Sequence, residues 1–408
     1  MLRSGLIALA ACVTVDEPRL ETREQPAGVL PWKQPAKWPH HVSSPRIVVH
    51  YQQPGDVATA QLVLADVEDA WTKQIVQCGS RAPLDDGGVA GPDGRFDVYL
   101  ARGTNELYVA AVAANPATPY KDYSTAMGVD PWGTYGGAEM RANVFHEFRH
   151  ATQGADDWYE HIWFFEAEAT MWETAYHGYA RLAEVWTDVQ AHPEWTPFRD
   201  DSYATWYMYG GALFLLYLRD HAFGGDLTYT NQTWLRSRNG GNTNEPDFVD
   251  ALEIQLAGVG RSLFSELVSF ARARWYTGPN ANGTIEAGDI LPAVASTTHV
   301  RASGVTRTTF QASAKLLGTV YTVVQRAPTD GTTARISLTS VGTGVKPVVQ
   351  LVGQGAADRV LDLTAGSATV PYAGGKAVLA VTMQPSNGAF DPDSVGTQTL
   401  KATFAIDR

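Results

Sequence analysis

All twelve tryptophans of the chain lie before residue 276, and this asymmetry constrains the fold more than any other feature. Each indole brings a large apolar area that needs a deep core around it. Beyond about residue 290 the texture changes to Val, Thr, Ala, Gly and Ser in short alternating runs, at 320–324, 334–338, 347–352, 377–381 and 400–406. Turn residues part these runs at intervals of about 8–15, which predicts an all-β sandwich. Upstream, helical periodicity dominates. Residues 56–77 carry Val57, Leu62, Leu64, Val67, Ala70, Trp71 and Ile75, and further helices are expected over 140–153, 160–178, 203–222 and 262–274. Strand patterns at 46–51 and 95–100 predict a small sheet ahead of most of them. A chain of 408 residues is long for one core. The reading is an α+β chain with a mainly helical domain at 46–290 and a sandwich at 291–408.

The net charge of −12 argues against nucleic acid as a partner. No apolar run approaches the ~20 residues that span a bilayer. The N-terminus has the layout of a secretory signal, one Arg before a short apolar run. Leu9-Ala10-Ala11-Cys12 resembles a bacterial lipobox, which implies a signal peptide at 1–11, a lipid anchor on Cys12 and a place in the cell envelope. Residues 12–45, with Pro26, Pro31, Pro35, Pro39 and Pro45, read as a tether. The rival reading is a frayed apolar N-terminus.

The chemistry concentrates at His146-Glu147-Phe148-Arg149-His150, an H-E-x-x-H pattern. On a helix, residues four apart share a face, so the two imidazoles can meet one Zn²⁺ while Glu147 reaches a water beside it. A catalytic zinc keeps a third protein ligand and one open position. Residues 162–173 form a strongly apolar segment with Glu166, Glu168 and Glu173, and carboxylates there need a partner. Glu166 is the expected third ligand. Glu168 is about 200° further round the axis and is read as paired or solvated on the far side. Glu173, seven residues on, either hydrogen-bonds a ligand His or forms a surface salt bridge. Asp85-Asp86-Gly87 and Asp93-Gly94 are read as turns rather than a calcium loop.

The two segments resemble the gluzincin group of zinc metallopeptidases. Trp163-Phe164-Phe165-Glu166-Ala167-Glu168-Ala169-Thr170-Met171-Trp172-Glu173 is similar to that group's Trp-x-x-Glu-Gly-x-Ala-x-x-x-Glu stretch, with Ala167 in place of Gly. The resemblance implies a zincin-like domain that hydrolyses a peptide or protein substrate, with His146, His150 and Glu166 on Zn²⁺ and Glu147 as general base. It also implies an oxyanion-stabilising phenol before Gly210-Gly211-Ala212. Tyr207 and Tyr209 are both candidates, the alternative being core aromatics. Tyr123 to Val129 is the expected edge strand for extended substrate. Two rivals stand beside this reading. One is a non-catalytic surface lipoprotein that binds a partner or glycan. The other is a structural zinc site closed by His161 or His177.

Overall fold

The computed structural model describes residues 31–33, 35–104, 107–133, 136–200, 204–240, 245–388, 390–392 and 399–407. The expected signal peptide, Cys12 and most of the expected tether lie outside these. The architecture mixes helices with three sheets. Among the described residues no helix is long and apolar enough to cross a membrane.

The first sheet has the order β1 (His40–Ser43), β2 (Ile47–Tyr51), β3 (Phe96–Leu100), β5 (Tyr123–Val129), β4 (Leu107–Ala114). β2, β3 and β5 run parallel, with β1 and β4 antiparallel on the two edges. β2 and β3 are buried along their whole length, as strands of a parallel sheet covered on both faces must be. Two expectations change here. His40–Ser43, read as the end of the tether, pairs with β2 as a strand. Tyr123–Val129 is a strand with the expected bounds, but it is flanked on both sides, so the edge belongs to β4.

α1 (Val57–Trp71) connects β2 to β3. Its buried face is Ala60, Val63, Val67 and Ala70, while Val57 and Leu62 are exposed. Small residues win the inner face because they let the helix lie close to the sheet. α2 (Met140–Asp156) and α3 (Ile162–His177) follow. Gly154 does not end α2. A Cβ there would fall 2.8 Å from the Trp158 ring and 3.1 Å from Thr125 Cγ2, so the glycine serves close packing. α7 (Tyr229–Ser237) and the start of α8 (Phe248–Gly258) belong to the same compact unit, which runs to Gly178 and resumes at 223–255.

The second unit holds α4 (Ala183–Ala191), α5 (Tyr207–Gly210), α6 (Ala212–His221), α9 (Leu263–Arg274) and all remaining strands. One sheet has the order β11 (Arg359–Val360), β10 (Val345–Val352), β13 (Lys376–Pro385), β8 (Thr319–Gln325), β6 (Thr297–Val300). The other has the order β12 (Ala368–Pro371), β9 (Thr333–Val341), β14 (Leu400–Asp407), β7 (Arg307–Ala314). Phe310, Ile336, Leu351, Leu379, Val381, Phe404 and Ile406 from both sheets share one core, which makes the pair a sandwich. The compact units do not follow a boundary near 290. Val378 and Ala380 on the outer face of β13 pack with Tyr321 under Trp275, and the amides of Lys315 and Thr319 donate to the carbonyls of Glu194 and Pro193 at 2.8 and 2.7 Å. A sheet apolar on both faces must recruit helices to cover the second one.

Candidate metal centre

α2 is buried at nearly every position, so its histidines are not solvated: His146 is 6% exposed and His150 0%. His146, His150 and Gln153 fall on one face at spacings of four and three. Glu166 and Glu173, seven apart on α3, return to one face in the same way.

The two faces meet. His146 Nε2 lies 3.3 Å from Glu166 Oε2, and His150 Nε2 lies 3.5 Å from the same oxygen. The three ligand atoms are within 4.8 Å of one another, and all three residues are buried. A tetrahedron with bonds of about 2.0–2.1 Å has edges of about 3.3–3.4 Å, so these separations fit donors around one ion. His150 Nε2 is buried with no hydrogen-bond partner, and a buried nitrogen without one is costly. Among the described residues no further His, Cys, Asp or Glu joins the group. His161 instead caps α3, accepting from the Trp163 amide at 3.3 Å, and His177 packs edge-on against Phe145. A structural site closed by a fourth protein ligand finds no support in that arrangement.

Each ring is held from behind. His146 Nδ1 lies 2.9 Å from Glu173 Oε2, and His150 Nδ1 lies 2.7 Å from Gln153 Oε1. These bonds put a proton on each Nδ1 and turn each Nε2 toward Glu166. Burial opposes charge on His146, but Glu166 and Glu173 outweigh it and push the ring up to about 10. His150 is raised too, with burial opposing and Glu166 prevailing. Burial would raise Glu166, yet the two imidazoles bring it down to about 2. The carboxylate thus favours positive charge on the rings, and a cation seated there takes the place of protons.

Glu147 is 1% exposed, and its Oε2 has no hydrogen-bond partner. Burial pushes its carboxyl up to about 7, against the lowering pull of His150 and His146. An acid poised near neutral pH suits proton transfer.

The pattern did not reveal the other polar layer between the helices. Arg149 places Nε and Nη2 on both oxygens of Glu168, at 2.5–3.0 Å. Nη1 donates to Ser80 Oγ at 2.6 Å and Nη2 also to Asn231 Oδ1 at 3.0 Å, and the guanidinium lies 4.3 Å from the Trp172 ring centre. Glu168 also accepts from Gln153 Nε2 at 2.6 Å and Thr230 Oγ1 at 2.7 Å. Glu168 is therefore paired and fully buried, not solvated. Gln153 joins the two layers, since its amide also donates to the Phe165 carbonyl at 3.0 Å.

Tyr207 and Tyr209 lie in the second compact unit. The Tyr207 hydroxyl is 3.4 Å from the Trp195 carbonyl and is pushed up to about 12 by burial, while Tyr209 packs edge-on against Trp206. No protein-family model matches the chain, and no curated protein matches it either.

Proposed function

We propose that this chain is a zinc-dependent peptidase of the gluzincin type. The observation that carries the reading is the convergence of two imidazole nitrogens on one carboxylate oxygen at 3.3 and 3.5 Å, all within 4.8 Å of one another, in a buried site where His150 Nε2 has no hydrogen-bond partner. His146, His150 and Glu166 would hold the ion. Zn²⁺ bound there supplies a Lewis acid that polarises the scissile carbonyl and lowers the pKa of a water to about 7. Glu147 takes the proton of the attacking water and passes it to the departing amine. Glu173 and Gln153 keep the two rings aimed. β4, the antiparallel edge strand, offers backbone groups to an extended peptide. In the same reading Cys12 carries the lipid that anchors the enzyme in a bacterial envelope.

The decisive substitution is Glu147→Gln, which keeps the side chain's shape and removes the base. Zinc content, measured by mass spectrometry of the metal, should stay at the wild-type level while hydrolysis of denatured casein falls by roughly 10²–10⁴. Hydrolysis at the wild-type rate would remove Glu147 from the reaction, and a wild-type chain that cuts no peptide with zinc bound would end the peptidase reading.

A further inference from the structure

Strand alternation turns Asp97 and Tyr99 away from α2, because Phe96 faces that helix with its ring 5.5 Å from Phe148. On this opposite face lies a cavity of about 420 Å³, lined by Pro35, Trp38, His41, His50, Tyr99 and the loop 88–92. Its size is within the range of about 300–1,000 Å³ usual for small-molecule sites. His50 stacks on Tyr99 with ring centres 4.5 Å apart and planes 13° apart, and Trp38 meets Tyr99 edge-on at 5.5 Å.

Behind this aromatic wall sits a buried charge. Asp97 is 1% exposed; its Oδ1 lies 2.6 Å from His50 Nε2, and its Oδ2 has no partner. The loop rests directly on the carboxylate: a Cβ on Gly91 would fall 2.1 Å from Asp97 Oδ1, so a side chain there would displace the carboxylate. Asp86 pins the loop by accepting from the Gly88 and Ala90 amides at 2.8 and 2.5 Å. Both Asp86 and Asp93 add negative potential at Asp97. Arg95, whose charge reaches Asp97, is committed to Asp93 at 2.8 and 3.0 Å and to the Ser44 carbonyl at 2.9 Å. The cavity's aromatic faces are thus backed, behind His50 and Gly91, by a buried carboxylate with an unmatched oxygen.

We propose that this cavity binds an organic cation, an ammonium or guanidinium group, between Trp38 and the His50–Asp97 pair. Aromatic faces attract such cations, and a carboxylate in a low-dielectric setting adds to the pull. The site is separate from the metal centre and does not depend on hydrolysis.

The test is calorimetric titration of the full chain with methylguanidinium and methylammonium, with N-methylurea as the neutral mimic. Saturable one-to-one binding of a cation, with none of the urea, is expected. Trp38→Leu should weaken it about fivefold, and Asp97→Asn by about tenfold or more, with zinc content unchanged in both. Should Asp97→Asn fail to fold, Trp38→Leu decides alone, since that side chain lines the cavity and is only partly buried. Tighter binding of acetyl-arginine methylamide than of methylguanidinium assigns the site to a peptide side chain, and equal binding assigns it to a free cation. Equal affinity for the urea, absence of saturable binding, or unchanged affinity in folded Trp38→Leu would overturn the proposal.

Discussion

Glu166 and Glu168 stand two residues apart on α3, both fully buried, and each meets a basic partner from α2. Their surroundings differ in the kind of basic partner and in its distance. Glu168 receives a bidentate guanidinium, an amide and a hydroxyl at 2.5–3.0 Å. Glu166 faces two imidazole nitrogens at 3.3 and 3.5 Å, longer than the ~2.7–2.9 Å of a good charge-assisted bond. A saturated ionic layer holds two helices in register. The other layer, with two ring nitrogens turned toward one carboxylate oxygen at longer range, is the arrangement proposed to take a cation. The contrast teaches that burial of a carboxylate does not by itself separate a metal site from an ionic layer between helices, whereas the geometry of its basic partners can.

Breaking the saturated side should have the larger effect on folding. Glu168→Ala leaves Arg149 charged and buried without its carboxylate, a loss of about 3–5 kcal/mol. Urea unfolding should show this as a lower midpoint, with zinc content unchanged. A double variant, Arg149→Met with Glu168→Leu, should recover much of the loss, because replacing both partners leaves no orphan charge. On the other side, Glu166→Ala should lower zinc affinity by roughly 10²–10³, about a quarter of the ~10–16 kcal/mol of a complete site. Competition against a chelator reads that change. If Glu168→Ala lost zinc and Glu166→Ala kept it, the assignment of the two carboxylates would be reversed.

How much of this was legible depended on how local the information was. H-E-x-x-H needs only one helix turn, and the return of Glu173 to the face of Glu166 needs only two, so the cluster could be read from spacing. The contact between His146 and Glu173 was one of two open readings, and the 2.9 Å separation selects it. Gln153 was missed because an amide one turn past a histidine has no signature apart from its partner. The sandwich strands β8, β9, β10, β13 and β14 fall on Val-, Thr- and Ala-rich runs parted by turn residues. β6 and β11 lie outside those runs, being short and mostly exposed. The place of Tyr123–Val129 inside its sheet depended on pairings far apart in sequence, as did the recruitment of α9 and the segment after α4 to the sandwich. On α1, the apolar periodicity takes in Leu62, which is exposed, and leaves out Ala60, which is buried, because hydrophobicity alone does not record how closely a helix approaches a sheet.

The finest comparison lies within the centre itself, between the two groups that hold the rings. Gln153 supports His150 with a neutral oxygen, and Glu173 supports His146 with a charged one. If the charge matters, Glu173→Gln keeps an acceptor at Nδ1 and still weakens zinc binding about tenfold, while Glu173→Ala, which removes the acceptor as well, weakens it about a hundredfold. The two variants should differ little in unfolding midpoint without zinc, where Glu166 still faces both rings. Equal losses in both would show that orientation needs the carboxylate as a whole, not its oxygen alone. No loss in either would reduce Glu173 to a helix–helix salt bridge and leave Gln153 as the one support that aims a ligand ring.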